Sequence, residues 1–195
     1  MSAALYDTLR AITTATITTM LLKKGIRRCW MNGPQPLVAG GGRLVGPAFT
    51  LRFVPVREDL ATPESWAKPI STRGAIEEMP AGCIAVADAM GVTSAGIFGD
   101  ILTMRMMKRN VTALVTDGVV RDKAGVLASK LPVWCAGTAA PASVTGFSLS
   151  VERFHTVTLC PTSMSRCAIA APILPIPATP ICMSTLQQKP TSSGP

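Results

Sequence analysis

The sequence predicts an α/β domain over residues 1–146, and three observations lead there. Apolar runs of strand length at 45–54, 83–89, 111–115 and 132–135 alternate with helix-like stretches at 73–78, 94–109 and 121–129. Strands alternating with helices favour layered sheets with flanking helices. The chain, at 195 residues, is long enough for one domain with a substantial core. Around Phe147 its character changes. Residues 148–195 carry prolines from Pro161 to Pro195, one glycine (Gly194) and one acid (Glu152). In ILPIPATPI, 173–181, each proline removes a ladder donor. Residues 147–195 are therefore read as an irregular Pro/Ser/Thr-rich tail.

The elements follow in order. Residues 3–25 read as helix in two pieces, with Thr13 or Thr14 capping the second. Ile17, Met20, Leu21 and Leu22 form one face of that piece, and Gly25 suits its end. The Pro- and Gly-rich 33–43 is a loop. In the strand 45–54, Phe49, Leu51 and Phe53 alternate with Thr50 and Arg52, and Pro47 implies an edge or a bend. Residues 55–72 form an exposed excursion. The helix at 73–78 stops at Pro80, and 83–89 is a buried strand. A helix over 94–109 offers Ile97, Ile101, Leu102 and Met104 for packing. The strand 111–115 leads to the Asp117–Gly118 turn, then a short helix or turn at 121–129 and a last strand at 132–135. No internal repeat is visible.

Composition removes several classes. A hydrophobic share of 48% with 15% charged residues suits a globular chain. The net charge of +8 comes from scattered residues. With three Trp, one Tyr and five Phe, base-stacking platforms are sparse, so a solvated basic face is expected rather than a nucleic-acid site. No apolar run reaches the ~20 residues of a membrane helix, and the N-terminus lacks a secretory signal. The six cysteines, at 29, 83, 135, 160, 167 and 182, form no CxxC pair. Reduced thiols and a cytoplasmic location are expected. The one histidine, His155, lies in the tail. A Ser–His–Asp triad, an ordinary zinc site and a histidine base are accordingly not expected. Catalysis would rest on carboxylates, arginine, backbone amides and a hard metal ion.

One segment gathers such groups, GIFGDILTMRMMKRNVTALVTDGVVRD from Gly96 to Asp122. Two glycines and Asp100 open a helix, and Arg121 and Asp122 stand beyond twenty intervening residues. A helix and a strand between them allow both ends to meet. A helix tip favours a carboxylate ligand, glycines admit close approach, and a carboxylate can hold a hydrated hard cation. Such a cavity would take a small anionic keto acid and a divalent ion. Each part also has a structural reading. Asp100 can offset the helix dipole, Arg121–Asp122 can be a surface ion pair, and Asp117–Gly118 reads as turn chemistry. Gly40, Gly41 and Gly42 lack the Lys-Ser/Thr of a phosphate loop. Met104, Met106 and Met107 read as packing, and Cys135, beside Trp134, as a buried thiol.

These stretches carry a resemblance. TATITT within 13–19, GGGRLVGPAFT (40–50), AIEEMPAGCIAVADA (75–89), GDIL (99–102), VTDGVVRD (115–122) and LPVWCAGTAAP (131–141) resemble the superfamily of the regulator of ribonuclease activity A and the 4-hydroxy-4-methyl-2-oxoglutarate aldolases. Its aldolase branch is marked by an Asp, twenty residues, then Arg-Asp, and Asp100, Arg121 and Asp122 keep that spacing. The resemblance implies a swivelling β/β/α, phosphohistidine-domain-like fold. It implies that Gly99, Asp100, Ile101 and Leu102 contact the pyruvyl group, and that Arg121 binds substrate and stabilises charge. It implies that Asp122 holds Mg²⁺ or Mn²⁺, with Asp100 near the metal's waters. The activity it implies is metal-dependent cleavage or decarboxylation of short 2-oxo acids by a homotrimer or hexamer. The other branch implies a non-catalytic protein that binds and inhibits a ribonuclease. A menaquinone-pathway methyltransferase is not expected, because no glycine-rich S-adenosylmethionine loop follows a strand. After Gly146 the family's glycine-rich ending is missing, which points to a frameshift or truncation at the DNA level.

Overall fold

The computed structural model describes residues 3–56, 62, 64, 67–149 and 156–157. Two helices open it, α1 (Ala3–Ala11) and α2 (Thr14–Lys23). Thr13 caps α2, its hydroxyl accepting from the Thr16 amide at 3.1 Å. Just past the α2 C-terminus Gly25 sits at φ +83°, a left-handed position that suits glycine. Of the expected α2 face only Leu21 is buried, while Met20 and Leu22 are exposed.

The strands are β1 (Gln35–Pro36), β2 (Ala48–Pro55), β3 (Ile84–Asp88), β4 (Gly96–Phe98), β5 (Ala113–Thr116), β6 (Val119–Val120), β7 (Val133–Cys135), β8 (Gly137–Thr138), β9 (Phe147–Leu149) and β10 (Thr156–Val157). The remaining helices are α3 (Thr72–Glu78), α4 (Asp100–Lys108) and α5 (Lys123–Ser129). A seven-stranded sheet runs β1-β7-β5-β3-β2-β10, with β9 also on β2. Its centre, β2, β3, β5 and β7, is parallel. A smaller parallel sheet orders β4-β6-β8.

The two sheets arise from one repeating arrangement that no sequence repeat announces. A strand of the large sheet leads to a strand of the small one and then to a helix: β3–β4–α4, then β5–β6–α5, then β7–β8. Parallel neighbours need such crossovers. The fold is the expected layered α/β class with flanking helices. Pro47 ends just before β2, so the strand avoids the missing donor while the Pro47 carbonyl still accepts from Ile84 at 2.8 Å.

Alternation in β2 buries Phe49, Leu51 and Phe53. Phe53 meets Phe98 and Phe147 edge-on, at centroid distances of 6.2 and 5.8 Å. Beside them pack Ile76, Met79, Ile97, Met106, Leu114, Val120 and Val126. Strand β3, expected as a buried strand, is buried on one face only, through Ala85 and Ala87 with flanking Cys83 and Ala89.

The expected helix 94–109 is the largest correction. Its first part is strand β4, and the helix begins only at Asp100. A glycine at the cap and pairing with β6 favour extended backbone there. The helix accordingly buries Thr103 and Met106, while Ile101 and Met104 are exposed. Strand β6 follows directly on the expected Asp117–Gly118 turn. The tail also contributes. Phe147 is buried, and residues 147–149 and 156–157 pair with β2. Residues 57–61, 63, 65 and 66 of the excursion and most of the tail, including His155 and Cys160, lie outside the described residues.

On the surface Arg105 grips Glu77 with two hydrogen bonds of 2.6 Å. They hold the Glu77 carboxyl below its ordinary value. That contribution is present above the ordinary glutamate range and fades as pH falls through the folded value. Cys83 and Cys135 are buried, and burial pushes both thiols up from the ordinary 9.0. The stability this represents is complete below 9.0 and is lost as pH rises through the folded values. At about pH 8 the folded protein is expected to leave both thiols unmodified by iodoacetamide while the urea-unfolded chain reacts fully, as read by mass spectrometry.

Candidate active site

The repeating arrangement sets two equivalent corners side by side. In each, a strand of the small sheet turns into a helix: Phe98–Gly99–Asp100 into α4, and Val120–Arg121–Asp122 into α5. The strands β4 and β6 pair in parallel, and the Arg121 amide donates to the Phe98 carbonyl at 2.8 Å. The register slips between Gly96 and Phe98, a bulge of the kind that re-aims a strand end.

The corners touch. A Cβ placed on Gly99 would lie 2.7 Å from Asp122 Oδ2 and 3.0 Å from Arg121 Cγ. One on Gly96 would lie 2.8 Å from Arg121 Cβ. In α5, a Cβ on Gly125 would meet Asp100 Cβ at 2.5 Å. These glycines are required by close approach, not by turn geometry. Gly125 carries no recognisable motif, and only the packing of α4 on α5 shows its role.

Helix α4 has a bare N-terminus. Gly99 offers no side-chain cap, and the first intrahelical bond runs from the Thr103 amide to the Gly99 carbonyl at 3.0 Å. The amides of Asp100, Ile101 and Leu102 therefore have no carbonyl partner in the helix. Asp100 Oδ1 accepts from the Ile101 amide at 2.7 Å, which leaves those of Asp100 and Leu102. Asp100 thus also serves its own helix start. The buried Thr103 hydroxyl ties this turn down through the Gly99 and Asp100 carbonyls, both at 3.0 Å.

At the second corner Asp122 holds a left-handed backbone, φ 51° and ψ 49°, and makes no capping bond. Aspartate tolerates that region better than most residues. Arg121 Nε donates to Asp122 Oδ2 at 2.9 Å. Their side chains are 36% and 42% exposed, so the pair is reachable from solvent. Among the described residues no other hydrogen bond engages either side chain, so the second carboxylate oxygen and the terminal guanidinium nitrogens remain available.

Gly99, Asp100, Arg121 and Asp122 are therefore together. Ile101 is 70% exposed at the same helix tip, whereas Leu102 turns its side chain toward the core and leaves only its amide at the corner. Among the described residues no three His, Cys, Asp or Glu side chains form a metal cluster. Two carboxylates on one rim suit a hard ion that keeps most of its waters, and do not suit zinc. A separate groove of about 280 Å³ lies between Leu37, Leu127, Lys130 and Trp134. Its lining includes neither a carboxylate nor an arginine, so it lacks the parts for this chemistry.

A family model described as RraA-like, Aldolase/RraA, matches residues 3–162. The chain belongs to the Aldolase/RraA family. The crystal structure of RraAS2 from Streptomyces coelicolor, described as an unusual member of the RNase ES inhibitor RraA protein family, is 32% identical with a TM-score of 0.66. The match covers 77% of this chain and 71% of that one. An uncharacterized protein from Pseudomonas syringae pv. tomato, 24% identical with a TM-score of 0.64 over 77% of this chain and 64% of its own, shares the fold. Protein DlpA of Legionella pneumophila is 29% identical over 97 residues, half of this chain and 15% of that protein. The chain thus matches only a small part of that curated relative. No helix among the described residues is long and apolar enough to cross a membrane.

Proposed function

We propose that this Aldolase/RraA protein is a divalent-metal lyase acting on short 2-oxo acids. The reaction is retro-aldol cleavage of 4-hydroxy-4-methyl-2-oxoglutarate-type substrates, decarboxylation of oxaloacetate, or both. The observation that carries this reading is the contact between the uncapped α4 tip and the Arg121–Asp122 corner. A regulator that only binds another protein does not need helix-tip amides, a guanidinium and an unengaged carboxylate oxygen brought side by side.

The roles follow from the chemistry. The Asp100 and Leu102 amides and the dipole of α4 would receive the substrate carboxylate. The guanidinium of Arg121, already oriented by Asp122, presents terminal N–H groups to the oxygen on which negative charge grows. Asp122 would hold Mg²⁺ or Mn²⁺ through its unengaged oxygen. When bound, such an ion polarises the keto group and is worth several kcal/mol of charge stabilisation. Asp100, its Oδ1 engaged with Ile101, has Oδ2 to orient a water that carries the proton. One chain supplies two carboxylates, so a neighbouring subunit of a trimer or hexamer would complete the wall.

Pyruvate in D₂O with Mg²⁺ should lose its methyl proton signal in the presence of this protein, and a chelator should stop the loss. Absence of exchange in the folded, metal-supplied protein would overturn the lyase reading. The second reading, a protein that binds and inhibits a ribonuclease, is favoured by the 32% identity to RraAS2. Inhibition of a ribonuclease without any pyruvate exchange would select it.

A further inference from the structure

The two limbs of the site share one origin. One runs from the turn after β3 through β4 to Gly99, and the other from Asp117 through β6 to Arg121. At their common origin the Asp117 carboxylate accepts from the Ala89 amide at 2.6 Å with one oxygen and from the Gly91 amide at 2.7 Å with the other. Both acceptors are engaged, in short charge-assisted bonds. Turn chemistry at Asp117–Gly118 alone would need neither.

What the carboxylate holds needs holding. Met90 and Gly91 are both left-handed, at φ 57° and 65°. Methionine disfavours that region, so surrounding structure must impose it. Gly118 lies against the same turn, where a Cβ would come within 2.6 Å of Ala89 Cβ. The buried Thr116 hydroxyl accepts from the Gly118 amide at 3.0 Å. From this knot the limbs run in parallel, paired at Gly96–Val119 and Phe98–Val120. At their far end they meet with no room for a Cβ at Gly96 or Gly99. A small shift at the origin is therefore carried to a junction without slack.

We propose that Asp117 is a positioning residue that joins the two limbs and sets the spacing between the α4 tip and Arg121. Its effect on turnover rests on the lyase reading, but its effect on the limbs does not. An aspartate is required because both oxygens must accept, whereas the amide of asparagine would direct N–H at N–H.

The test is Asp117→Asn in the full chain, read by amide hydrogen exchange. The Arg121 amide, which reports limb contact through Phe98, should lose protection roughly tenfold. The Leu114 amide, bonded to the Pro132 carbonyl at 2.9 Å in the large sheet, should stay within about twofold. Half-saturating pyruvate in the exchange assay should rise roughly tenfold, because misplaced limbs no longer grip one molecule. Gly91→Ala is the second variant. It strains the turn from the other partner, and its Cβ meets nothing within 4 Å, so the added strain stays in the turn's own backbone. It should give the same pattern more weakly. Unchanged Arg121 protection in both variants overturns the proposal, as does an equal loss at Leu114, which would mark a general structural role. A wild-type protein inert toward pyruvate defeats the lyase reading alone, since the amide arm needs no turnover.

Discussion

Asp122→Asn is expected to lower metal-dependent methyl-proton exchange of pyruvate by roughly a hundredfold or more while leaving the fold intact. Asparagine tolerates the left-handed backbone found at φ 51° and keeps an oxygen for Arg121 Nε. It removes the negative charge that would hold the cation. A cation contributes several kcal/mol to a developing oxyanion, and each 1.36 kcal/mol is about tenfold in rate. Asp122→Ala should give the same loss of exchange with a further cost of about 1 kcal/mol, since alanine is less at ease in that backbone region. The ion pair itself adds little to stability, both partners being more than a third exposed. Exchange near the wild-type rate in Asp122→Asn, at saturating Mg²⁺, would show that this carboxylate does not hold the metal.

Phe53→Ala is expected to destabilise the domain by about 3–5 kcal/mol, the usual cost of removing a buried aromatic ring. Phe53 is 1% exposed and has two ring partners. Phe98 immediately precedes Gly99, and Phe147 is the first residue of β9. The cavity would thus undermine the first limb of the site and the strand that follows residue 146. For a chain of this size the thermal midpoint should fall by roughly 10 °C. Phe53→Leu should lose less, because most of the volume is kept. A change of under about 2 °C for Phe53→Ala by calorimetry would mean that the three rings do not form the core.

Some of this site is legible in the chain because it lies at local signals. The two glycines and Asp100 carry helix-opening chemistry although the stretch around them reads as helix from residue 94, and Arg121–Asp122 follows a strand and a turn. Other parts carry no such signal. Strand β6 is two residues long and β4 three, too short for any periodicity, and both form by pairing within the small sheet, β4 on β6 and β6 also on β8. Their extended backbone displaced the expected start of helix α4 from residue 94 to Asp100. Ile101 and Met104 look like packing residues in the sequence, yet the register that follows from the later start leaves them exposed and buries Thr103 and Met106. Gly125 and the carboxylate of Asp117 act through neighbours more than twenty residues away, Asp100 and Ala89, which no local pattern encodes.

The chain by itself determined that strands and helices alternate, that the aromatic face of β2 points inward, and that an aspartate and an Arg-Asp pair stand at two helix beginnings. Such features depend on spacing, propensity and polarity within a few residues. Only the tertiary structure decided that the two beginnings face each other across a gap closed to any side chain at Gly99. It also decided that the Asp117 carboxylate ties their origins together. Those are distances between segments far apart in sequence, set by parallel pairing and by close packing of one crossover against the next.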